Sequence, residues 1–132
     1  MNLRISGMIA AFVVVCLLGS AQSLAQNAYI TNQDSNTVSV INTATNTVTA
    51  TIPIGVVEPN AVAVSPDGSK VYVTIPGSNT VLVIDTATNT VIATIPVGRA
   101  PQGVAVSPDS SKVYVANPGD DTVSVIATAT NT

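Results

Sequence analysis

The sequence predicts an all-β chain in which one four-stranded antiparallel meander is repeated. Three observations carry this expectation. Tyr29, Tyr72 and Tyr114 recur 43 and 42 residues apart, inside AYITN, VYVTI and VYVAN. The segments NTVSVINTATNT, NTVLVIDTATNT and DTVSVIATATNT follow at the same spacing. Beyond the first 25 residues the chain is mostly Val, Thr, Ala, Asn, Ser, Ile and Pro, an alphabet that suits pleated strands and tight turns rather than helices.

Each period contains four short runs bounded by turn residues. Strand a covers 61–64 and 103–106, and strand b covers 28–31, 71–74 and 113–116. Strand c covers 37–41, 80–84 and 122–126, and strand d covers 47–52 and 90–95. Ser65-Pro66-Asp67-Gly68 closes a to b, with proline pre-set for the turn and glycine free to take positive φ. Ser110 stands in the glycine's place in the next copy, which costs up to about 1–2 kcal/mol if that position is left-handed. Thr-Ala-Thr-Asn closes c to d in every copy.

Residue size predicts a radial arrangement. Strand a alternates Val with Ala or Gly, the small-residue strand expected where sheets converge on an axis. Strand d alternates Val48, Ala50 and Ile52 with Thr47, Thr49 and Thr51, as an outer strand wet on one side should. A four-stranded unit of about 40–45 residues is the period of a β-propeller blade. The expected blades are a partial one at 28–52, a full one at 61–95 and a partial one at 103–126, about two and a half in an incomplete ring. Closed propellers need about four to eight blades. An uncovered blade face of about 300 Å² forfeits up to about 7 kcal/mol, so other blades are the first expected partners, from further copies or from a longer protein.

These segments resemble the YVTN-type β-propeller repeat family. Its strand-b tetrapeptide stands here as Tyr29-Ile30-Thr31-Asn32, Tyr72-Val73-Thr74-Ile75 and Tyr114-Val115-Ala116-Asn117. The resemblance covers residues 26–132 and is specific for fold. It implies a secreted or surface-layer binding protein, with lactonases, quinoprotein dehydrogenases and the nitrous oxide reductase propeller as more distant relatives. A fold of this kind hosts many unrelated functions.

The N-terminus reads as an export signal. Arg4 gives a short positive segment, residues 5–18 are almost wholly apolar, and Ser23-Leu24-Ala25 offers small residues before a cut after Ala25. Ala21 is the weaker cleavage point. The apolar run is shorter than the roughly 20 residues of a membrane span. Val15 before Cys16 departs from a lipoprotein signal. Removal of residues 1–25 takes away the lone thiol and leaves three basic residues against seven acidic ones, a net charge of −4. The expected location is periplasmic or extracellular, at the cell surface, with no membrane span after cleavage.

Composition narrows the chemistry. The 132 residues contain no His, no Trp and one Cys, and only four Lys or Arg. A zinc site needs about four Cys, His or carboxylate ligands, and a Ser–His–Asp triad needs its base. Four basic residues do not make a nucleic-acid footprint. No c-type haem motif or phosphate-cradling glycine loop is present. The expectation is therefore a non-enzymatic module without metal or cofactor.

In an antiparallel meander the a–b and c–d turns share one end and the b–c and d–a loops share the other. The first end repeats almost unchanged, whereas the second varies: NQDSN, IPGSN and NPGDD, then PIGVVEPN against PVGRAPQ. Loops on a rigid scaffold are where binding tends to reside. The candidate binding residues on this variable rim are Asn32, Asp34, Glu58, Asn60, Arg99, Gln102, Asn117, Asp120 and Asp121. Asp120, Asp121 and Asn117 fall short of the six to eight oxygens of a calcium site. Glu58 and Arg99 sit in equivalent loops, placed to face each other across adjacent blades. The expected role is a binding or cell-surface scaffold for an envelope protein or glycan. The alternatives are a fragment of a lactonase-like or quinoprotein-like propeller enzyme, or a truncated product without a role of its own.

Overall fold

The computed structural model describes residues 26–55 and 58–132. The expected export segment, with Cys16 and the cleavage point at Ala25, lies outside the described residues, as do residues 56–57 of the first d–a loop. Ten strands are described: β1 (Asn27–Asn32), β2 (Thr37–Asn42), β3 (Thr47–Pro53), β4 (Val62–Val64), β5 (Lys70–Ile75), β6 (Thr80–Asp85), β7 (Thr90–Pro96), β8 (Val104–Val106), β9 (Lys112–Asn117) and β10 (Thr122–Ala127). They form three antiparallel sheets in the orders β1-β2-β3, β4-β5-β6-β7 and β10-β9-β8. These sheets are blades 1, 2 and 3. The all-β fold of incomplete propeller blades is thus the observed one. A single 3-10 turn, Pro76–Ser78, interrupts the pattern inside the b–c loop of blade 2.

Burial follows from how many neighbours each sheet has. In blade 2 both faces are covered, so β5 and β6 are buried at nearly every position and read as near-continuous apolar runs. In blade 3 only one face is covered, and β9 alternates exposed with buried residues. Two apolar cores result. Tyr29, Val38, Val40, Ile52 and Ile54 of blade 1 pack against Val71, Val73, Ile75, Leu82 and Ile84 of blade 2. Tyr72, Val81, Val83 and Ile95 of blade 2 pack against Val113, Val115 and Ile126 of blade 3. Tyr72 is fully buried, and that burial pushes its phenol up from the usual value.

The hairpins turn on asparagine. Asn36, Asn79 and Asp121 in the b–c loops, and Asn46, Asn89 and Asn131 in the c–d turns, all have φ between 54 and 57°. Asn and Asp tolerate this left-handed region better than other residues with a side chain. Gly68 takes φ 73° in the first a–b turn and Ser110 takes φ 59° in the second, so the substitution does fall on a left-handed position. A register shift between Val40 and Ile41, repeated between Val83 and Ile84, marks the same irregularity in both complete c–d pairs.

Hydroxyl groups clip the blades together. Thr31 Oγ1 donates to the carbonyl of Asn60 at 2.7 Å, at the start of blade 2. Thr74 Oγ1, its counterpart one repeat later, donates to the carbonyl of Gln102 at 3.0 Å, at the start of blade 3. It also accepts the Ala61 N–H at 2.9 Å. The third copy carries Ala116 here, which has no hydroxyl to extend to a following blade.

Candidate functional site

The two ends of the sheets are built differently. At the turn end, Asp67 Oδ1 accepts from Ser65 Oγ at 2.5 Å, from Ser69 N–H at 2.9 Å and from Ser69 Oγ at 2.8 Å. Asp109 repeats the arrangement with Ser107 and Ser111. The Ser65 hydroxyl, and then the backbone and hydroxyl of Ser69, hold the Asp67 carboxyl below the usual range. Asp109 is lowered to about 2, first by the Ser107 hydroxyl and then by Ser111. Asp85 is lowered by the hydroxyl and N–H of Thr88 in the c–d turn. These carboxylates are committed to turn geometry.

At the opposite end the b–c and d–a loops clasp one another across blade boundaries. Between blades 1 and 2, Gln33 Nε2 donates to Glu58 Oε2 at 3.3 Å. Within blade 2, the Ala100 N–H donates to Asn79 Oδ1 at 2.8 Å. Between blades 2 and 3, the Arg99 N–H donates to Asp120 Oδ2 at 2.6 Å, and the Gly119 N–H donates to the Arg99 carbonyl at 3.1 Å. A Cβ on Gly119 would lie 2.8 Å from both Arg99 Cβ and Arg99 O, so the clasp needs a residue without a side chain. Glu58 and Arg99 therefore each engage a different neighbour.

The candidate residues divide into three groups. Asp34, Glu58, Asn60, Arg99, Gln102, Asp120 and Asp121 are exposed on the loop rim. Asn60 and Gln102 meet the neighbouring blade through their carbonyls, leaving their side chains outward. Asp121 occupies a left-handed turn position at φ 57°. Asn32 closes β1, where its Nδ2 donates to Thr37 Oγ1 at 3.0 Å and to Ser39 Oγ at 2.8 Å. Asn117 is 1% exposed at the end of β9, inside the boundary with blade 2. Its Nδ2 donates to Thr122 Oγ1 at 3.2 Å and Ser124 Oγ at 2.9 Å, while its Oδ1 is buried without a partner. A Cβ on Gly98 would come within 2.6 Å of this side chain. Asn117 is a packing residue between blades rather than an outward loop residue. Among the described residues no three of His, Cys, Asp or Glu converge as a metal site would require.

Sequence reading passed over Gln33, Asn79 and the two threonine clips. Asn79 was detectable as the loop residue aligned with Asn36 and Asp121. The clips depend on where the next blade starts.

Comparison with known proteins extends the fold assignment. Solved structures with the same arrangement include hydrazine synthase from Kuenenia stuttgartiensis, at 34% identity and a TM-score of 0.75, over 80% of this chain and 30% of that one. A functionally unknown protein from Desulfotomaculum acetoxidans gives 24% identity and a TM-score of 0.68, over 78% of this chain and 34% of that one. The dihydro-heme d1 dehydrogenase NirN gives 21% identity and a TM-score of 0.64, over 78% and 22%. The chain thus spans about a third or less of each of these structures. Among curated proteins nothing matches. The model of the lactonase family of seven-bladed β-propellers matches residues 22–132, through all three sheets. On that match the chain belongs to the seven-bladed β-propeller lactonase family.

Proposed function

We propose that this chain is an exported, non-enzymatic propeller segment of YVTN type that acts as a binding or cell-surface scaffold. The observation that carries the reading is the division of labour on the variable rim. The loops are held by Glu58, Asn79 and Asp120, which accept from Gln33 and from the Ala100 and Arg99 N–H groups, while the side chains of Asp34, Arg99, Gln102 and Asp121 stay exposed and outside the clasp. Side chains that differ from copy to copy are thereby presented on a frame that does not depend on them. A ligand suited to this rim is polar, rich in hydroxyl or amide groups, and drawn from envelope proteins or glycans. Affinity chromatography of envelope and glycan fractions on the immobilised protein tests this. Retention of a fraction that Arg99→Ala and Asp34→Ala variants release supports the reading, and retention of nothing overturns it.

Family membership favours a second reading, in which these blades belong to a propeller enzyme whose reacting groups lie on other blades. The 34% identity to hydrazine synthase points the same way. In-frame blades carrying His or C-x-x-C-H in the transcript, or lactone hydrolysis by the intact gene product, would favour it over the scaffold.

A further inference from the structure

Asp67-Gly68 is the one place in the sequence where glycine follows an aspartate or an asparagine. Without a Cβ on the following residue, an amide nitrogen can close on the neighbouring carboxyl carbon with little hindrance. The reaction starts from the protonated carboxyl. The Gly68 nitrogen bonds to Asp67 Cγ, and its hydrogen leaves with the carboxyl hydroxyl as water, giving a five-membered succinimide. Water then reopens the ring. Cleavage of the N–Cγ bond restores aspartate, and cleavage of the bond to the α-carbonyl leaves isoaspartate, with the main chain running through Cγ.

The native turn withholds both reacting groups. The Gly68 N–H donates to the Ser65 carbonyl at 2.7 Å, and the Gly68 carbonyl accepts from Thr86 Oγ1 at 2.7 Å. Asp67 Oδ1 accepts three bonds, from the Ser65 hydroxyl and from the N–H and hydroxyl of Ser69. These bonds favour the ionised carboxyl, the form without a hydroxyl to lose. The Asp67 N–H is tied in turn to Ser110 Oγ of the next blade at 3.1 Å. In the second copy of the turn Ser110 stands in the glycine's place at φ 59°, where its side chain hinders ring closure after Asp109.

We infer that Asp67-Gly68 is a conformation-gated site of self-modification, closed to succinimide formation in the native a–b turn and open whenever that turn of blade 2 unfolds. The product no longer fits. Isoaspartate lengthens the main chain by one atom and sets the carboxylate directly on Cα, so the bonds of Ser65 and Ser69 to the carboxylate and of Gly68 to Ser65 cannot all re-form. An opened turn that reacts before it closes is therefore lost to the native state, which makes the lifetime of the fold depend on how rarely this turn opens.

Incubation of the full chain at neutral pH, in buffer and in guanidinium, tests the inference. Isoaspartate is counted with protein isoaspartyl methyltransferase and placed by peptide mass analysis, with far-UV circular dichroism to follow the fold. It should build up at residue 67 at least about tenfold more slowly in buffer than in guanidinium. Equal rates overturn the inference, without need of any variant. Removing both hydroxyl clamps with Ser65→Ala and Ser69→Ala together should speed the reaction in buffer but not in guanidinium. If that variant keeps the parent spectrum it should fall between the two parent rates, and if it loses the spectrum it should react at the guanidinium rate. No acceleration in either case overturns the inference. Gly68→Ser, the residue of the second copy, should slow the reaction in guanidinium, and isoaspartate that persists undiminished there overturns it too.

Discussion

The turn end and the loop end of the same sheets solve one problem in opposite ways. At the turn end, Asp67, Asp85 and Asp109 take their partners from two or three residues away. Each such turn is specified by its own residues and recurs nearly unchanged. At the loop end, the bonds from Thr31, Gln33 and Thr74, and the pairing of Arg99 with Asp120, span 21 to 29 residues. Local specification fixes each turn, and among the described residues only the boundary of blades 2 and 3 adds bonds across it at this end, from the Asp67 N–H to Ser110 Oγ at 3.1 Å and from Lys70 Nζ to the Thr128 carbonyl at 2.8 Å. Non-local specification fixes the blades with a few side chains and leaves others on the same rim, among them Asp34, Arg99, Gln102 and Asp121, exposed and outside the clasp, which is the arrangement a binding surface requires.

The sharpest way to break this contrast is to attack the loop clasp. Gly119→Ala places a Cβ against the Arg99 backbone, which cannot swing aside as a side chain can. A loss of about 1–3 kcal/mol is expected from overpacking, read by denaturant unfolding. Thr74→Val follows, because it removes a fully buried hydroxyl that bridges the Gln102 carbonyl and the Ala61 N–H. It should cost about 1–3 kcal/mol, and Thr31→Val, at a more open clip, about 0.5–1.5 kcal/mol. Equal losses at the two sites would show that the clip does not depend on burial.

The turn end is tested with acid. The native pKa values of Asp67 and Asp109 lie below the ordinary value of 3.8, with Asp109 near 2. A depressed carboxylate stabilises the fold above its unfolded pKa and loses that contribution as pH falls through the native one. Stability should therefore decline from about pH 4 toward pH 2, and Asp109→Asn should flatten that decline in pH-dependent unfolding curves. The smallest effect belongs to the exposed rim. Arg99→Ala should change stability by no more than about 0.5 kcal/mol, since its backbone rather than its side chain holds Asp120. A larger loss by thermal unfolding would mean that the rim side chains share in holding the frame.

The same contrast explains what could be read from residues alone. Period-two alternation and the Ser-Pro-Asp and Thr-Ala-Thr-Asn turns are local signals, so the strands and their grouping into blades were legible, as was the left-handed cost at Ser110. Asn117 was not. An asparagine before Pro118 reads as a loop residue, and its burial is decided by Gly98 of another blade. The clue lay in the alignment of the repeats, where Ile75 at the same place signals a position facing a neighbour. Thr31 and Thr74 were likewise read as strand formers, because their partners lie nearly 30 residues downstream.

The difference between the two blade boundaries also bears on how the chain avoids folding errors. Three hairpins with almost the same sequence emerge in succession during synthesis, and such neighbours invite domain misassembly. At the loop end of its seam blade 1 packs on the apolar pair Ile75 and Leu82, whereas blade 2 meets Asn117 and Ser124 there, with the Gly98 N–H donating to Ser124 Oγ. Were blade 1 to skip its neighbour and dock on blade 3, its apolar cluster would lose Ile75 and Leu82, and an asparagine whose buried amide oxygen lacks a partner would stand in the place of Ile75. The alternation of greasy and polar seams thus acts as an address label, letting each newly made hairpin recognise the one meant to follow it.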